Sequence, residues 1–248
     1  MSFELQLVVL ALVGLVAGAI NAVAGGGSFL SLPALVWVGL PENVANGSNR
    51  IGILLGNCSS CLEFYRKGLL RRADLAWSAL PASVGALLGA YLARQIPNDV
   101  FRQVLVGLMI GVSLYTLWDS ERGKKQLSEE AAIPLGLAGG AFFLVGIYAG
   151  FVQAGTGFFA LAVTTRAGLN LVRGNAVKVS MNLFLTIVAL AVFIQGGLVN
   201  WGLGLAHGVG SLVGGMLGAK LTILKGNRWT KRVVTAMIVI FAVLLLLK

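Results

Sequence analysis

Charge is scarce in this chain. Only 11% of its 248 residues are charged, against about a quarter in soluble domains, and that excludes an ordinary soluble fold. Carboxylates are scarcer still, nine against 19 Lys and Arg. All of them (Glu4, Glu42, Glu63, Asp74, Asp99, Asp119, Glu121, Glu129 and Glu130) fall at or beyond the ends of apolar stretches. A pump that relays protons through mid-membrane Asp, Glu or His finds only Glu63 and the sole histidine, His207, to draw on. A membrane enzyme lacks an acid, base or nucleophile for the same reason, so no catalytic residue is expected. His207, alone on a glycine-rich segment, reads first as a hydrogen bonder between packed helices.

Two cysteines and one histidine exclude a zinc cluster, a haem ligand set and a disulfide scaffold. No cofactor and no metal are expected. Cys58-Ser-Ser-Cys61 has the spacing of a redox pair, but without companion residues it reads as small residues between helices. The excess of +10 does not mark nucleic-acid binding, because the basic residues sit in short segments between apolar runs, as membrane orientation requires.

Long apolar runs are present instead. Residues 5–41, 75–93, 103–118, 131–165, 179–219 and 233–247 contain no Asp, Glu, Lys or Arg. A crossing helix needs about 20 apolar residues, so the fold class is an all-α polytopic membrane protein. The N-terminus lacks the basic region of a signal peptide and carries Glu4 instead; it is expected to remain as the first span. Glycine is plentiful, 34 residues, about twice the usual share. In a bilayer glycine lets helices pack closely and lets backbone bend around a site.

An internal repeat orders these segments. Gly14-x-x-Ala17-Gly18-x-Ile20-Asn21-Ala22 returns as Gly146-x-x-Ala149-Gly150-x-Val152-Gln153-Ala154, about 132 positions on. At about 129 positions, Gly39-Leu40 pairs with Gly168-Leu169, Asn46 with Asn175, and Gly68-Leu69 with Gly197-Leu198. At the same offset Val84-Gly85-x-x-Leu88-Gly89-Ala90 pairs with Val213-Gly214-x-x-Leu217-Gly218-Ala219. Equivalent loops exchange their positive charge. Segment 64–72 holds Arg66, Lys67, Arg71 and Arg72 while 193–201 holds none, and 223–231 is the more basic partner of 94–102. Positive loops are cytoplasmic, so the halves should enter the bilayer in opposite senses, as the inverted repeats of secondary transporters do. The expected division is an N-terminal repeat 1–118, a cytoplasmic linker 119–130 and a C-terminal repeat 131–248. Each repeat is expected to hold a broken or re-entrant helix pair followed by three full spans.

The bends of the broken pairs fall at Gly25-Gly26-Gly27 and Gly155-Thr156-Gly157. Broken backbone inside a bilayer must be buried or line a cavity, and a helix restarting there aims free amides and a positive dipole end at the site. Ser28 and Thr156 add hydroxyls, and Asn21 and Gln153 add amides. Ala45-Asn46-Gly47-Ser48-Asn49-Arg50 and Gly174-Asn175-Ala176-Val177-Lys178 each open a span with a cation one turn in. Arg50 and Lys178 either attract substrate or snorkel to the interface, and Asn46 and Asn175 either bind substrate or cap helices. The expected substrate-binding set is Asn21, Gly25, Gly26, Gly27, Ser28, Asn46, Ser48, Asn49, Arg50, Gln153, Gly155, Thr156, Gly157, Asn175 and Lys178. Positive charge and amide donors in both halves favour a small anion. An anion channel and a membrane assembly subunit are the alternatives. The expected partners are the anion and the lipid bilayer, with no nucleic acid; glycine-lined helix faces leave a homodimer open.

The string from Gly18 to Pro33, Gly-Ala-Ile-Asn-Ala-Val-Ala-Gly-Gly-Gly-Ser-Phe-Leu-Ser-Leu-Pro, followed by Gly39 to Asn49, resembles the TauE/SafE sulfite exporter family. A weaker second copy runs from Gly146 to Lys178, so the resemblance covers nearly the whole chain. It implies a transporter of the bacterial inner membrane, with two related halves, that exports sulfite or small organosulfonates. The family often opens a span in each half with a Gly-Thr-Ser-like signature. Here Gly47-Ser48-Asn49 stands in the first half, and the second has no hydroxyl until Ser180.

Overall fold

The computed structural model describes residues 1–108, 111 and 134–246, and every regular element among them is helical. The order is α1 (Phe3–Val23), α2 (Ser28–Trp37), α3 (Glu42–Arg66), α4 (Arg72–Gln95), α5 (98–108), α6 (Leu135–Phe151), α7 (Thr156–Arg166), α8 (Leu171–Gln195) and α9 (Trp201–Leu246), the last broken by a kink at Gly226, whose φ of 70° and ψ of −168° are not helical. The expected linker 119–130, and with it the boundary between the repeats, lies outside the described residues.

Among the described residues, four helices are long and apolar enough to cross a bilayer: α1, α4, α8 and α9 as far as residue 236. Helices α2 and α7 have 10 and 11 residues; at 1.5 Å per residue they reach about half of a 30 Å hydrocarbon core. Helix α3 matches α8 at 25 residues but is too polar for a hydropathy criterion. Its unbroken buried run from Ala45 to Ile53 contains Asn46, Ser48, Asn49 and Arg50, so protein rather than lipid surrounds it.

Helix ends recur at the repeat spacing. Leu69 donates its amide to the Phe64 carbonyl around Gly68 (φ 69°), and Leu198 donates to Phe193 around Gly197 (φ 66°). The same closure ends α2 at Gly39 and α7 at Gly168. Glycine takes the left-handed position that lets the last carbonyls find a partner.

The two halves interlock. Helix α1 lies on α9 and α6 lies on α4, each pair backbone to backbone. A Cβ at Gly14 would sit 2.1 Å from the His207 carbonyl oxygen, and one at Gly18 would sit 2.5 Å from that of Ser211. In the other pair, Gly146 and Gly150 face the carbonyls of Ala82 and Ala86 at 2.1 and 2.2 Å. Gly85 and Gly89 face Phe143 and Ile147, while Gly210 and Gly214 face Ala11 and Leu15. These contacts match Gly85 to Gly210 and Gly89 to Gly214, an offset of about 125. The pairing of Gly85 with Gly214 expected from the sequence is therefore corrected by one helical turn. Glycines repeating every fourth residue match themselves one turn away, so only three-dimensional partners resolve the register. Further along the chain the original offset returns: Asn98 Oδ1 accepts the Asn43 amide, and Asn227 Oδ1 accepts the Val172 amide, each at 3.0 Å.

Polar contacts gather the connecting segments into two groups. In one group, Arg173 Nη2 pairs with both Asp74 oxygens at 3.1 and 3.2 Å, Lys220 lies 3.8 Å from Glu63, and Val172 meets Asn227. In the other, Arg102 pairs with Glu42 at 3.2 Å, Asn43 meets Asn98, and the Arg94 side chain lies against Gly196.

Candidate functional site

Both glycine bends fall in the interior, and they touch. Helix α1 stops at Val23, Gly25 adopts φ 93°, and α2 restarts at Ser28. Helix α6 stops at Phe151, Gly155 adopts φ 73°, and α7 restarts at Thr156. A Cβ added at Gly25 would lie 2.2 Å from the Gly157 Cα, and one added at Gly157 would lie 2.2 Å from the Gly25 Cα. In this conformation no ligand fits between these two glycines.

Each bend leaves the C-terminal carbonyls of a helix without helical partners, and a buried cation from the opposite half answers them. Arg50 of α3 donates from Nη1 to the Ala149 carbonyl at 3.1 Å and to Gln153 Oε1 at 3.2 Å, and from Nη2 to the Gly150 carbonyl at 2.5 Å. The Phe193 ring stacks on its guanidinium, 4.5 Å to the centroid. Asn46, one turn earlier, donates to the Phe151 carbonyl at 2.9 Å. Lys178 of α8 donates to the Asn21 and Ala22 carbonyls at 2.8 and 3.1 Å and to Asn175 Oδ1 at 2.5 Å. Both cations are fully buried, which corrects the snorkelling alternative. Asn46 and Asn175 lie inside α3 and α8, whose N-caps are Pro41 and Asn170, so neither caps its own helix.

The remaining expected residues divide. Asn49 Nδ2 donates to Ser28 Oγ at 3.2 Å, and Asn49 Oδ1 accepts from Ser31 Oγ at 2.6 Å, tying α2 to α3. Gln153 Nε2 donates to Thr186 Oγ1 at 2.7 Å, and Thr156 Oγ1 donates back to the Gln153 carbonyl at 2.9 Å. Ser48 points elsewhere: its Oγ accepts the Asn200 amide at 2.8 Å, in the segment after α8.

A narrow cavity lies between α1, α2, α3 and α9. Asn21, Gly27 and Ser28 line it, together with Ser31, Asn57, His207 and Ser211. About 10 Å³ of it admits the centre of a water molecule, room for one water. None of these four further residues was expected at the site. Asn57 was legible, because Asn46, Asn49, Arg50 and Asn57 recur on one face of α3 at helical spacing. His207 and Ser211, one turn apart on α9, join the cavity only through the packing of α1 and α3. Gly52 provides for the imidazole, since a Cβ there would meet its Cδ2 at 2.1 Å.

Neither Arg50 nor Lys178 has a carboxylate partner among the described residues. Each helix C-terminus carries about half a negative charge, so the two ends offset about one of the two positive charges. The N-termini of α2 and α7, at the same bends, act in the opposite sense. No group of three His, Cys, Asp or Glu that could hold a metal comes together among the described residues.

The family model "Sulfite exporter TauE/SafE" matches residues 10–245 of the chain. A probable membrane transporter protein of Haemophilus influenzae is 33% identical over 233 residues, 93% of this chain and 91% of its own length. The probable membrane transporter protein YfcA of Escherichia coli is 33% identical over 226 residues, 90% of this chain and 83% of that protein. A third relative, the probable membrane transporter protein YdhB of Bacillus subtilis, is 27% identical over 232 residues, 89% of this chain and 90% of its own length. No solved structure matches. With its apolar spans and paired broken helices, the chain belongs to the TauE/SafE family of multi-pass membrane transporters, and is a transporter rather than an enzyme.

Proposed function

We propose that this protein exports a small anion, such as sulfite or a small organosulfonate, across the inner membrane by alternating access between two inverted halves. The observation that carries the reading is the burial of Arg50 and Lys178 with no carboxylate partner among the described residues. Burying an ion is costly unless an opposite charge or a dense set of hydrogen bonds answers it. Here carbonyls offset some of that cost, and a transient anion supplies the rest. The two cations set the potential while they hold the bends, and polar groups beside the bends replace the water of the ligand.

The inverted arrangement is supported by the grouping of polar contacts. Segments 64–74, 166–173 and 220–232 share one group and carry Arg66, Lys67, Arg71, Arg72, Arg166, Arg173, Lys220, Lys225, Arg228, Lys231 and Arg232. The group joining 38–43, 94–102 and 196–200 has only Arg94 and Arg102. Under the positive-inside rule the first group is cytoplasmic, together with the linker 119–130. The touching glycines close the centre in this conformation, as an alternating-access carrier requires, whereas a channel would keep a continuous path.

Replacement of both cations tests the proposal. Sulfite flux in proteoliposomes should fall to the level of empty vesicles in the Arg50→Gln/Lys178→Gln variant, with insertion and monodispersity checked beforehand. Unchanged flux from well-inserted variant protein would contradict the role of these charges.

A further inference from the structure

The two halves are alike in their bends but not in the space beside them. On the α2 side, α9 presents His207 and Ser211 to α1, and α3 presents Asn57. The corresponding residues of the other half, read from the shared packing contacts and repeat spacing, are Ala82, Ala86 and Thr186. Ala82 and Ala86 are small and apolar, and the Thr186 hydroxyl is already taken by Gln153. One half has filled this position, and the other has left a cavity.

One buried side chain in that cavity has an atom without a partner. Asn57 is 2% exposed, yet its Nδ2 makes no hydrogen bond; His207 Nδ1 is turned instead to α1, beside Gly14 and the Leu10 carbonyl. Buried polar atoms are satisfied in the great majority of native structures, so an orphan amide at the rim of a cavity points to an occupant. Its chemistry follows from what surrounds it. Asn57 Nδ2 is a donor. Ser28 Oγ already accepts from Asn49, which leaves its O–H to donate. The N-terminus of the ten-residue α2 opens on the same space, and Asn21, whose carbonyl holds Lys178, contributes to the wall. No carboxylate lines it.

We infer that the substrate is held on one side of the molecule, in this α1/α2/α3/α9 cavity, where Asn57, Ser28 and the α2 N-terminus donate hydrogen bonds to a small oxyanion. The inference rests on the anion-transport reading and sharpens it. The site is single and asymmetric rather than shared equally by the two bends. Arg50 and Lys178 act on it through the field and through the α1 terminus, without touching the ligand. The space is closed to about one water in this conformation, so entry requires α2 to move away from α1 and α9.

The test uses purified full-length protein and sulfite as the probe, read both as thermal stabilisation and as flux in proteoliposomes. In the Asn57→Ala variant the unliganded protein should melt no lower than wild type, because an unsatisfied buried amide is removed. Its sulfite affinity should fall at least tenfold. Thr186→Val, at the equivalent place in the other half, should keep sulfite affinity within threefold even where it lowers the melting temperature. Equal loss in Thr186→Val and Asn57→Ala, or full retention in Asn57→Ala, would overturn the one-sided site while leaving anion transport intact. A wild-type protein that neither binds nor moves sulfite, sulfate or a small sulfonate would overturn the transport reading itself, and this inference with it.

Discussion

At the residue scale, glycine is used for two different reasons, and substitution separates them. Gly157 has an ordinary negative φ, but a Cβ there would run into the Gly25 backbone at 2.2 Å. Gly197 has φ 66° and open space around it. Gly197→Ala should therefore cost only the strain of a left-handed alanine, about 1 kcal/mol, with flux unchanged. Gly157→Ala must push the backbones of both bends apart at the centre and should cost at least about 3 kcal/mol, with loss of flux. Chemical denaturation in detergent micelles ranks the two; equal costs would mean that the bends do not meet. The glycine bends were legible in the sequence because Gly25-Gly26-Gly27 and Gly155-Thr156-Gly157 interrupt apolar runs at corresponding places of the repeat. The partners of Arg50 and Lys178 were not. Both cations reach across to backbone carbonyls about a hundred or more positions away, and a carbonyl has no letter in a sequence.

At the element scale, long helices are held by stripes of small residues that bring backbones together, while short helices are held by polar side chains. The α1–α9 and α4–α6 pairs are of the first kind; α2, tied by Ser28, Ser31 and Asn49, is of the second. The stripes make side-chain volume decisive on one face of α9 and α6 and unimportant on the other. Gly214→Leu would drive a side chain into the Leu15 carbonyl, where even a Cβ lies 2.0 Å away, whereas nothing lies within 4 Å of a Cβ at Gly140. The first substitution should abolish stable insertion, while Gly140→Leu should leave yield and melting temperature close to wild type. Similar behaviour of the two would contradict this packing. The existence and lengths of these helices could be read from apolar runs. The register of α4 against α9 could not, since a four-residue glycine period is ambiguous by one turn. Hydropathy also misses α3, because a helix whose first half is buried in protein need not be apolar: its neighbours, not lipid, accept from Asn46 and Arg50 and pair with Asn49.

At the scale of the whole molecule, each half completes the other. The broken helix of one half ends on a cation from the second, and the broken helix of the second ends on a cation from the first. This reciprocity ties the two bends to α3 and α8. It also explains why positive charge can persist at the centre without a resident acid. The measurement that tests the account most directly is sulfite flux in proteoliposomes with sulfite present or absent on the opposite side. The account predicts saturable flux that is accelerated by sulfite across the membrane, as expected of a carrier that reorients with its ligand. Flux that rises linearly with concentration and ignores sulfite on the far side, or flux no greater than that of empty vesicles, would contradict it.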